Sequence, residues 1–466
     1  MGKDLHYRSI ADLGSALRQG EVSSAELTSH MLDRIARLEP RLHAYIHVFS
    51  EPALAQARRA DDDMRRGIDR GPLHGIPVSV KDLLYTASAP TTAGSRCLGE
   101  LTPRRDATVV RRLDEAGAVL LGKTVTTEGA LSEHRPDRPA PVNPWNAEYW
   151  TGVSSSGAGV ATAAGLCHAA IGTDTGGSIR MPSSACGLSG LKPSWGRVSR
   201  HGLFPLCESR DHVGPMARSV ADAAAMLKAI AGPDPADPTS LAEKPDDYVA
   251  ALDGSVQGLR LGIDRESLAK HADPVIAAGV ATAAESFAAL GVQIVPVTLP
   301  DPTPYLEIYF ASTVSEVALA HAPHFAEHKD SYGPVLRRLV EAAAGVSGMD
   351  VARVEHARLR YAGNLARLFR EIDVLLVPVL PGRPSTVAEM AAINDPAKFI
   401  LTQGRFTLPF NATGSPALVI PCGTTAEGMP IAFQLVGCHL AEATLLRLGH
   451  AYQRATDWHE RRPPLD

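Results

Sequence analysis

The segment 152–190 limits the possible folds of this chain more strongly than any other stretch. Its 39 residues include 9 glycines and 7 serines, a composition that is usually typical of a flexible linker. Here, however, apolar runs at 160–172 and 179–191 interrupt the small polar residues. Apolar side chains at this density are normally buried in a core. The segment is therefore predicted to be packed inside a globular protein, with its glycines allowing close backbone contacts.

Helical and strand patterns alternate along the rest of the 466 residues. A capping box at Ser23 and Glu26 predicts a helix over 21–39 that ends before Pro40, and a later short strand ends at Lys81. Further helices are predicted at 106–117, 217–231, 273–290, 304–325, 333–344, 350–372 and 441–455, and further strands at 118–122, 258–264, 292–297, 373–379, 417–421 and 431–437. Such alternation is typical of an α/β layered fold, and since it resumes beyond the Pro/Asp-rich run 232–238, we expect both halves to feed one sheet.

The charge and composition of the chain argue against several classes of protein. The formal charge is −5 at pH 7 and no long basic run is present, which argues against direct nucleic-acid binding. No apolar run reaches the ~18 residues of a membrane span, and residues 1–14 lack the apolar core of a signal peptide. The six cysteines include no CxxC pair, which favours a reducing compartment. We therefore expect a soluble, cytoplasmic protein that binds no metal.

The run Thr175-Gly176-Gly177-Ser178 has the composition of an oxyanion-binding loop. Two of its positions carry no side chain, so consecutive backbone N–H groups can converge on one point, as the donors of an oxyanion hole do. A serine directly after such a loop is placed to attack a carbonyl carbon whose oxygen enters the hole. A serine hydroxyl is a weak nucleophile, however, and needs a base.

Lysine is the candidate base. The histidines nearest to the glycine-rich motifs, His168 and His201, have no flanking pattern that indicates catalysis. Lys81 ends an apolar strand, where burial would lower its pKa because the ammonium form loses hydration. A proton could then pass from Ser178 through Ser154 to Lys81. Taken singly, each of these residues is more typical of a solvated strand end, a loop or a turn, and their joint occurrence carries the interpretation.

These motifs resemble the amidase signature family of serine hydrolases over residues 72–215. The family pattern is a lysine after a short strand, a Gly-Gly-Ser-Ser-Gly-Gly loop, and Gly-Thr-Asp-x-Gly-Gly-Ser-Ile-Arg. Lys81 matches the lysine, Ser154 the bridging serine and Ser178 the nucleophile, 24 residues after Ser154. Residues 172–180 match without a substitution. The resemblance continues at 190–200, 211–218, 408–414 and 428–437.

The resemblance implies a fold and an organisation for the whole chain. It implies an α/β fold with a large, mostly parallel mixed sheet flanked by helices on both faces. The chain would form a single domain, 1–466, and would need no cofactor. Its parts would be an N-terminal helical part at 1–70, the signature core at 71–220, a surface loop at 230–246 and a C-terminal part of the same sheet at 247–466.

The resemblance also implies a mechanism and a set of site residues. Ser178 would attack an amide carbonyl and form an acyl-enzyme, while Ser154, on a cis peptide bond, would pass protons to and from Lys81. The implied oxyanion donors are the N–H groups of Thr175, Gly176 and Gly177, and the implied supporting residues are Ser155, Asp174 and Arg180.

The chain departs from the family pattern in the loop before the bridging serine. Two of the glycines in Gly-Gly-Ser-Ser-Gly-Gly are replaced, by Val153 and Ser156. Val153 implies a negative φ, because a β-branched residue is strongly disfavoured at positive φ. Neither change removes a residue of the implied triad, so activity is expected. The loop geometry and the pocket shape stay open.

Several functions compete with a stand-alone amidase. Amidotransferase A subunits release ammonia from glutamine, and the segment 196–202 is similar to theirs. Their acidic residue before the C-terminal Pro-x-Asn motif has no counterpart in 403–409. A non-catalytic scaffold relative is a further alternative, against which the complete triad argues. A G-x-S-x-G elbow is missing around Ser154 and Ser178, and Cys186 has the context of a buried structural residue.

The expected partner is a small-molecule amide, with no nucleic acid and no membrane, and the chain is expected to be a monomer or homodimer. Esters, hydrazides and carbamates also present a carbonyl and a leaving group, so the same acyl chemistry would open them.

Overall fold

A computed structural model of the chain describes residues 4–393 and 395–465 and joins eleven strands of these residues in one sheet. In chain order the strands are β1 (Tyr45–Val48), β2 (Pro77–Lys81), β3 (Val119–Thr124), β4 (Ala169–Asp174), β5 (Ser189–Lys192), β6 (His212–Ala217), β7 (Arg260–Ile263), β8 (Gln293–Pro296), β9 (Val374–Pro378), β10 (Ala417–Thr424) and β11 (Pro430–Gly437). Their order across the sheet is β1-β3-β2-β4-β6-β5-β10-β11-β9-β7-β8. Both halves of the chain therefore contribute to the same sheet, as expected.

The mixed α/β architecture is confirmed, but parallel pairs do not predominate. Strand β2 pairs in parallel with β3 and β4, and β7 with β8 and β9, whereas the other six pairings are antiparallel. Four of those six involve β1, β5 or β6, strands that no sequence pattern predicted. A fifth joins β10 to β11, which are separated by a short turn, and a short turn can connect only antiparallel neighbours.

Eighteen α-helices among the described residues surround the sheet. They are α1 (Ile10–Gln19), α2 (Ser24–Leu42), α3 (Ser50–Arg65), α4 (Leu98–Leu101), α5 (Thr108–Glu115), α6 (Ser156–Ala163), α7 (Arg180–Cys186), α8 (Val220–Ile230), α9 (Arg265–His271), α10 (Pro274–Ala289), α11 (Thr303–Leu306), α12 (Tyr309–His328), α13 (Pro334–Ala342), α14 (Gly348–Leu368), α15 (Val387–Ala391), α16 (Pro396–Gln403), α17 (Leu408–Ala412) and α18 (Glu442–Ala455). No helix of the described residues is both long and apolar enough to cross a membrane.

The helix predictions hold apart from two boundaries. The capping box of Ser23 and Glu26 is formed at the start of α2, but this helix continues through Pro40 to Leu42. A proline in the last turn removes one backbone donor, and burial of Leu38 and Leu42 favours keeping that turn helical. The helix expected over 304–325 is divided into α11 and α12, which are separated by residues 307–308.

Both faces of the sheet are covered by helices. In β4, Ala169 and Ile171 belong to one apolar cluster together with side chains of α8 and α10, whereas Ala170 belongs to a second cluster with side chains of α2 and α6. Because successive side chains of a strand point to opposite faces, the two clusters lie on opposite sides of the sheet. The core is thus layered as helix, sheet and helix.

The glycine- and serine-rich segment 152–190 is packed, as predicted. It contains α6, β4, α7 and β5, and every residue in it is buried except Gly176, Ser178 and Gly187, which are partly exposed. The proline-rich segment 231–246 has neither helix nor strand. It is anchored by buried Asp234 and Asp237, which accept hydrogen bonds from Ser199 and from the Arg200 N–H.

Candidate active site

The end of β2 carries Lys81 into a wholly buried polar contact. Its Nζ lies 2.7 Å from Ser154 Oγ and 2.8 Å from Thr173 Oγ1 on the neighbouring strand β4. The Lys81 side chain is inaccessible to solvent. No carboxylate of the described residues lies within ion-pair distance of it. The lysine therefore has two neutral hydroxyls as its side-chain partners.

Burial changes the protonation of this lysine. Loss of hydration lowers the pKa of Lys81 from 10.5 to about 7, although the nearby Asp174 and Asp211 carboxylates act in the opposite direction. An amine with this pKa is substantially neutral at neutral pH. It can therefore accept a proton from the Ser154 hydroxyl.

The loop before α6 positions the bridging serine. The Val153–Ser154 peptide bond is cis, and Val153 does not adopt a positive φ, as predicted from its β-branched side chain. Ser155 then fastens this loop to the next one. Its N–H donates to the Ser178 carbonyl (3.2 Å), and its hydroxyl donates to the Thr173 carbonyl (3.2 Å). Ser155 thus connects the elements that carry the three predicted catalytic residues.

Ser178 lies between β4 and α7 at the edge of a cavity. It is partly exposed, in contrast to the fully buried Lys81 and Ser154. Its hydroxyl makes no hydrogen bond with another described residue, so no direct Ser178–Ser154 hydrogen bond is formed in this structure. The predicted residues are thus brought into one region, with one contact of the predicted relay made and the other open.

The Asp174 carboxylate holds the turn before Ser178 in shape. It accepts hydrogen bonds from the N–H groups of Gly177 (2.8 Å) and Ile179 (3.1 Å). Both carboxylate oxygens also accept from the Arg180 guanidinium, each at 3.0 Å. Burial alone would raise the pKa of Asp174, but the Arg180 guanidinium holds it well below its usual range. Asp174 and Arg180 therefore support the loop, in agreement with their predicted role.

The same contact changes the expectation for the oxyanion donors. The Gly177 N–H is already donated to Asp174, so it differs from the prediction that it faces a substrate oxygen. The N–H groups of Thr175 and Gly176 have no acceptor among the described residues. Both residues line the cavity that Ser178 borders. Two of the three predicted donors are thus free for a ligand.

Residues distant in sequence complete the support of this turn. Asn411, at the C-terminal side of the chain, accepts from Arg180 Nη2 (2.5 Å) and donates to Asp174 Oδ1 (2.8 Å). Gln434 on β11 accepts from Arg180 Nη1 at 3.2 Å. Sequence reasoning did not single out either residue. Both lie in stretches with family resemblance, 408–414 and 428–437, and this was the available signal.

Two further side chains near the loop were also missed. Asp211 accepts a hydrogen bond from the Thr175 hydroxyl at 2.5 Å, and burial raises its pKa to about 6. His134 Nε2 lies 3.1 Å from Ser156 Oγ. Burial, with the positive charge of Lys81, lowers the pKa of His134 to about 4. His168, considered as a base from sequence, instead contacts Arg218 in the core.

The cavity above Ser178 is apolar and has a volume of about 100 Å³. None of the described residues that line it carries a formal charge. They are Ala130, Leu131, Ser132, Val153, Thr175, Gly176, Ser178, Met181, Leu206, Tyr309, Phe310, Thr313, Val335, Leu339, Phe399, Ile400 and Leu408. A group that enters it would therefore be held by apolar contacts, with hydroxyls and backbone N–H groups as the polar partners.

Comparisons with known proteins agree with this arrangement. The Amidase family model matches residues 26–446. A Mycobacterium tuberculosis protein named AmiD, whose assignment as an amidase is provisional, is 43% identical over 99% of this chain and 96% of its own length. The GatA-type component of the glutamyl-tRNA(Gln) amidotransferase of Chloroflexus aggregans is 41% identical over 99% of both chains. Among solved structures, the peptide amidase of Stenotrophomonas maltophilia has 33% identity and a TM-score of 0.84 over 98% of both chains.

The fold and these matches define an enzyme that cleaves amides by hydrolysis. The chain belongs to the Amidase family, whose model covers nearly its whole length.

Proposed function

We propose that this protein is a stand-alone amidase that works through Ser178, Ser154 and Lys81. The observation that carries the proposal is the contact of 2.7 Å between Lys81 Nζ and Ser154 Oγ, in a buried site without an ion-pair partner for the lysine. A lysine used only for structure would normally be paired with a carboxylate when buried. A neutral amine against a serine hydroxyl is instead suited to accept a proton.

The proposed reaction begins with attack by Ser178. Its oxygen bonds to the amide carbonyl carbon while its proton passes to Ser154 and the Ser154 proton passes to Lys81. The N–H groups of Thr175 and Gly176 hydrogen-bond the resulting oxyanion. The C–N bond then breaks, and Ser154 donates a proton to the departing nitrogen while Lys81 returns one to Ser154. Water hydrolyses the acyl-enzyme through the same groups, releasing the carboxylic acid.

The cavity indicates the chemistry of the substrate. Since its described lining residues are uncharged, it favours an amide with an apolar group. Glutamine carries an α-ammonium and an α-carboxylate, which would lose hydration there without a charged partner. This observation favours a stand-alone amidase over the glutaminase component of an amidotransferase, in spite of the 41% identity to such a component. Esters, hydrazides and carbamates with apolar substituents are proposed as additional substrates.

The test is turnover of a panel of amides by the wild-type chain and by Ser178→Ala. The panel contains aryl amides, aliphatic amides, carbamates, esters and glutamine, the last with and without amidotransferase partner proteins. We expect Ser178→Ala to lose on the order of 10⁴-fold or more of kcat/KM, because the nucleophile is removed.

Ser132→Ala is the matched control, because Ser132 is another serine that lines the cavity. It should retain most of the activity. Full activity of Ser178→Ala would show that the nucleophile is assigned to the wrong residue. Turnover of glutamine only with partner proteins would favour the amidotransferase function instead.

A further inference from the structure

Val153 stands at a position where the loop accepts a side chain. Gly152, directly before it, has a φ of +76°, and a Cβ there would lie 2.4 Å from Pro182 Cα, so position 152 requires glycine. Position 153 has no such restriction, because its φ is not positive. Val153 is buried, and it lines the same cavity as Ser178.

The valine therefore occupies space beside the proposed nucleophile. The cavity has a volume of about 100 Å³, and its other walls include Leu131, Met181 and Leu339. In an apolar pocket, one methylene more or less changes selectivity about 10–200-fold. Valine has three side-chain carbons where the family pattern has glycine, so the residue at 153 has a large effect on which groups fit.

We propose that Val153 sets the size limit of the apolar substrate group that occupies this cavity, and that it restricts the enzyme to amides in which this group is small. This inference rests on the proposed function of the site. It assigns a specificity role to a residue that takes no part in the chemistry of bond cleavage.

Ser156 provides a matched control within the same loop. It also stands where the family pattern has glycine, but it does not line the cavity. Its hydroxyl instead contacts His134 Nε2 at 3.1 Å, at the start of α6. Ser156→Gly therefore changes the glycine content of the loop without enlarging the space beside Ser178.

The experiment compares Val153→Gly, Val153→Ala and Ser156→Gly with the wild-type chain. Two series of p-nitroanilides and simple amides are used: one increases the acyl group from acetyl through butyryl to hexanoyl, and the other increases the amine. In one of the two series, we expect Val153→Gly to raise kcat/KM for the largest member relative to the smallest by about tenfold or more. Val153→Ala should shift the preference less, and Ser156→Gly should leave it unchanged.

Binding separates this inference from the proposed function. The dissociation constants of the same compounds are measured by calorimetry with each substitution combined with Ser178→Ala. A shift of size preference in binding supports the role of Val153 even if no member is turned over, in which case the proposed function fails alone. If the wild-type chain turns the amides over but neither valine variant changes the size preference, or Ser156→Gly changes it equally, the inference about Val153 is wrong. Since Val153→Ala adds no backbone freedom, it remains informative if Val153→Gly does not fold.

Discussion

Two lysines on neighbouring strands are both inaccessible to solvent, yet their surroundings differ. Lys81 ends β2 and Lys123 lies on β3, the parallel neighbour of β2. Lys123 Nζ lies 2.8 Å from Asp82 Oδ1, with the Thr91 hydroxyl and the Pro90 carbonyl as further partners. Lys81 Nζ contacts two hydroxyls instead. Burial is therefore common to both lysines, and the partner distinguishes them.

The difference in partners shows how one sheet edge can hold both a structural and a reactive lysine. Burial lowers the pKa of Lys123, but the Asp82 carboxylate opposes that change by stabilising the ammonium. The hydroxyls near Lys81 provide no negative charge, and burial lowers its pKa to about 7. We infer that Lys123 stabilises the fold as half of an ion pair, whereas Lys81 exchanges protons.

Lys81→Met should have the largest effect on activity. The substitution removes the proposed base while keeping an unbranched apolar side chain, so kcat/KM should fall by about 10²–10⁴-fold. In the wild-type chain kcat/KM should increase as pH rises through about 7, because Lys81 must be neutral to accept a proton. The measurement is a pH–rate profile for an aryl amide, and a profile in which Lys81→Met keeps the same acidic limb would exclude Lys81 as the titrating base.

The stability of the same variant provides a control. The folded-state pKa of Lys81 is about 7 and its ordinary value is 10.5, so the unfolded chain binds more protons between these values. Stability of the wild-type chain should therefore rise with pH across this interval. Lys81→Met lacks this dependence, and its Tm relative to wild type should be most favourable near pH 6 and less so near pH 10. A Tm difference that does not change with pH would contradict the lowered pKa.

Lys123→Met should show the opposite pattern, a loss of stability rather than of chemistry. Removal of the lysine leaves Asp82 buried without its ion-pair partner, and such a change costs about 3–5 kcal/mol in free energy of unfolding. Denaturant unfolding measures this loss. The double variant Lys123→Met with Asp82→Asn should recover part of it, because the uncompensated charge is removed as well. Equal stability of Lys123→Met and wild type would show that the ion pair does not distinguish the two lysines.

The sequence indicates part of this comparison. The motifs around Lys81, Ser154 and Ser178 predicted that the three would meet, and the contact of Lys81 with Ser154 agrees with that prediction. No motif indicated Thr173 as a partner of Lys81. That contact depends on the register of β2 and β4, in which Val80 lies opposite Ile171, and register is determined by packing of the whole sheet.

The strands that escaped prediction have a similar explanation. Strand β5 has the sequence SGLK and β6 has HVGPMA. Glycine and proline are rare inside strands, so neither segment has a recognisable strand pattern. Both are nevertheless buried between longer strands, and tertiary contacts determine their conformation. Because these two strands pair antiparallel, the expected excess of parallel pairs was wrong for the same reason.

Thr173→Val should give the smallest effect and tests the hydroxyl side of the comparison. Valine keeps the shape of threonine but removes the oxygen 2.8 Å from Lys81 Nζ. The ammonium form of Lys81 loses an acceptor, so its pKa should fall and the acidic limb of the pH–rate profile should move to lower pH, by about one unit. At pH values well above the limb, kcat/KM should change by less than about tenfold, because Ser154 still contacts the amine. Thr162→Ser, a conservative change at a buried threonine in α6 that makes no contact with Lys81, is the control and should leave the limb in place. A limb that moves to higher pH in Thr173→Val would mean that the hydroxyl favours the neutral amine, and the contrast with the carboxylate partner of Lys123 would then be one of kind rather than of strength.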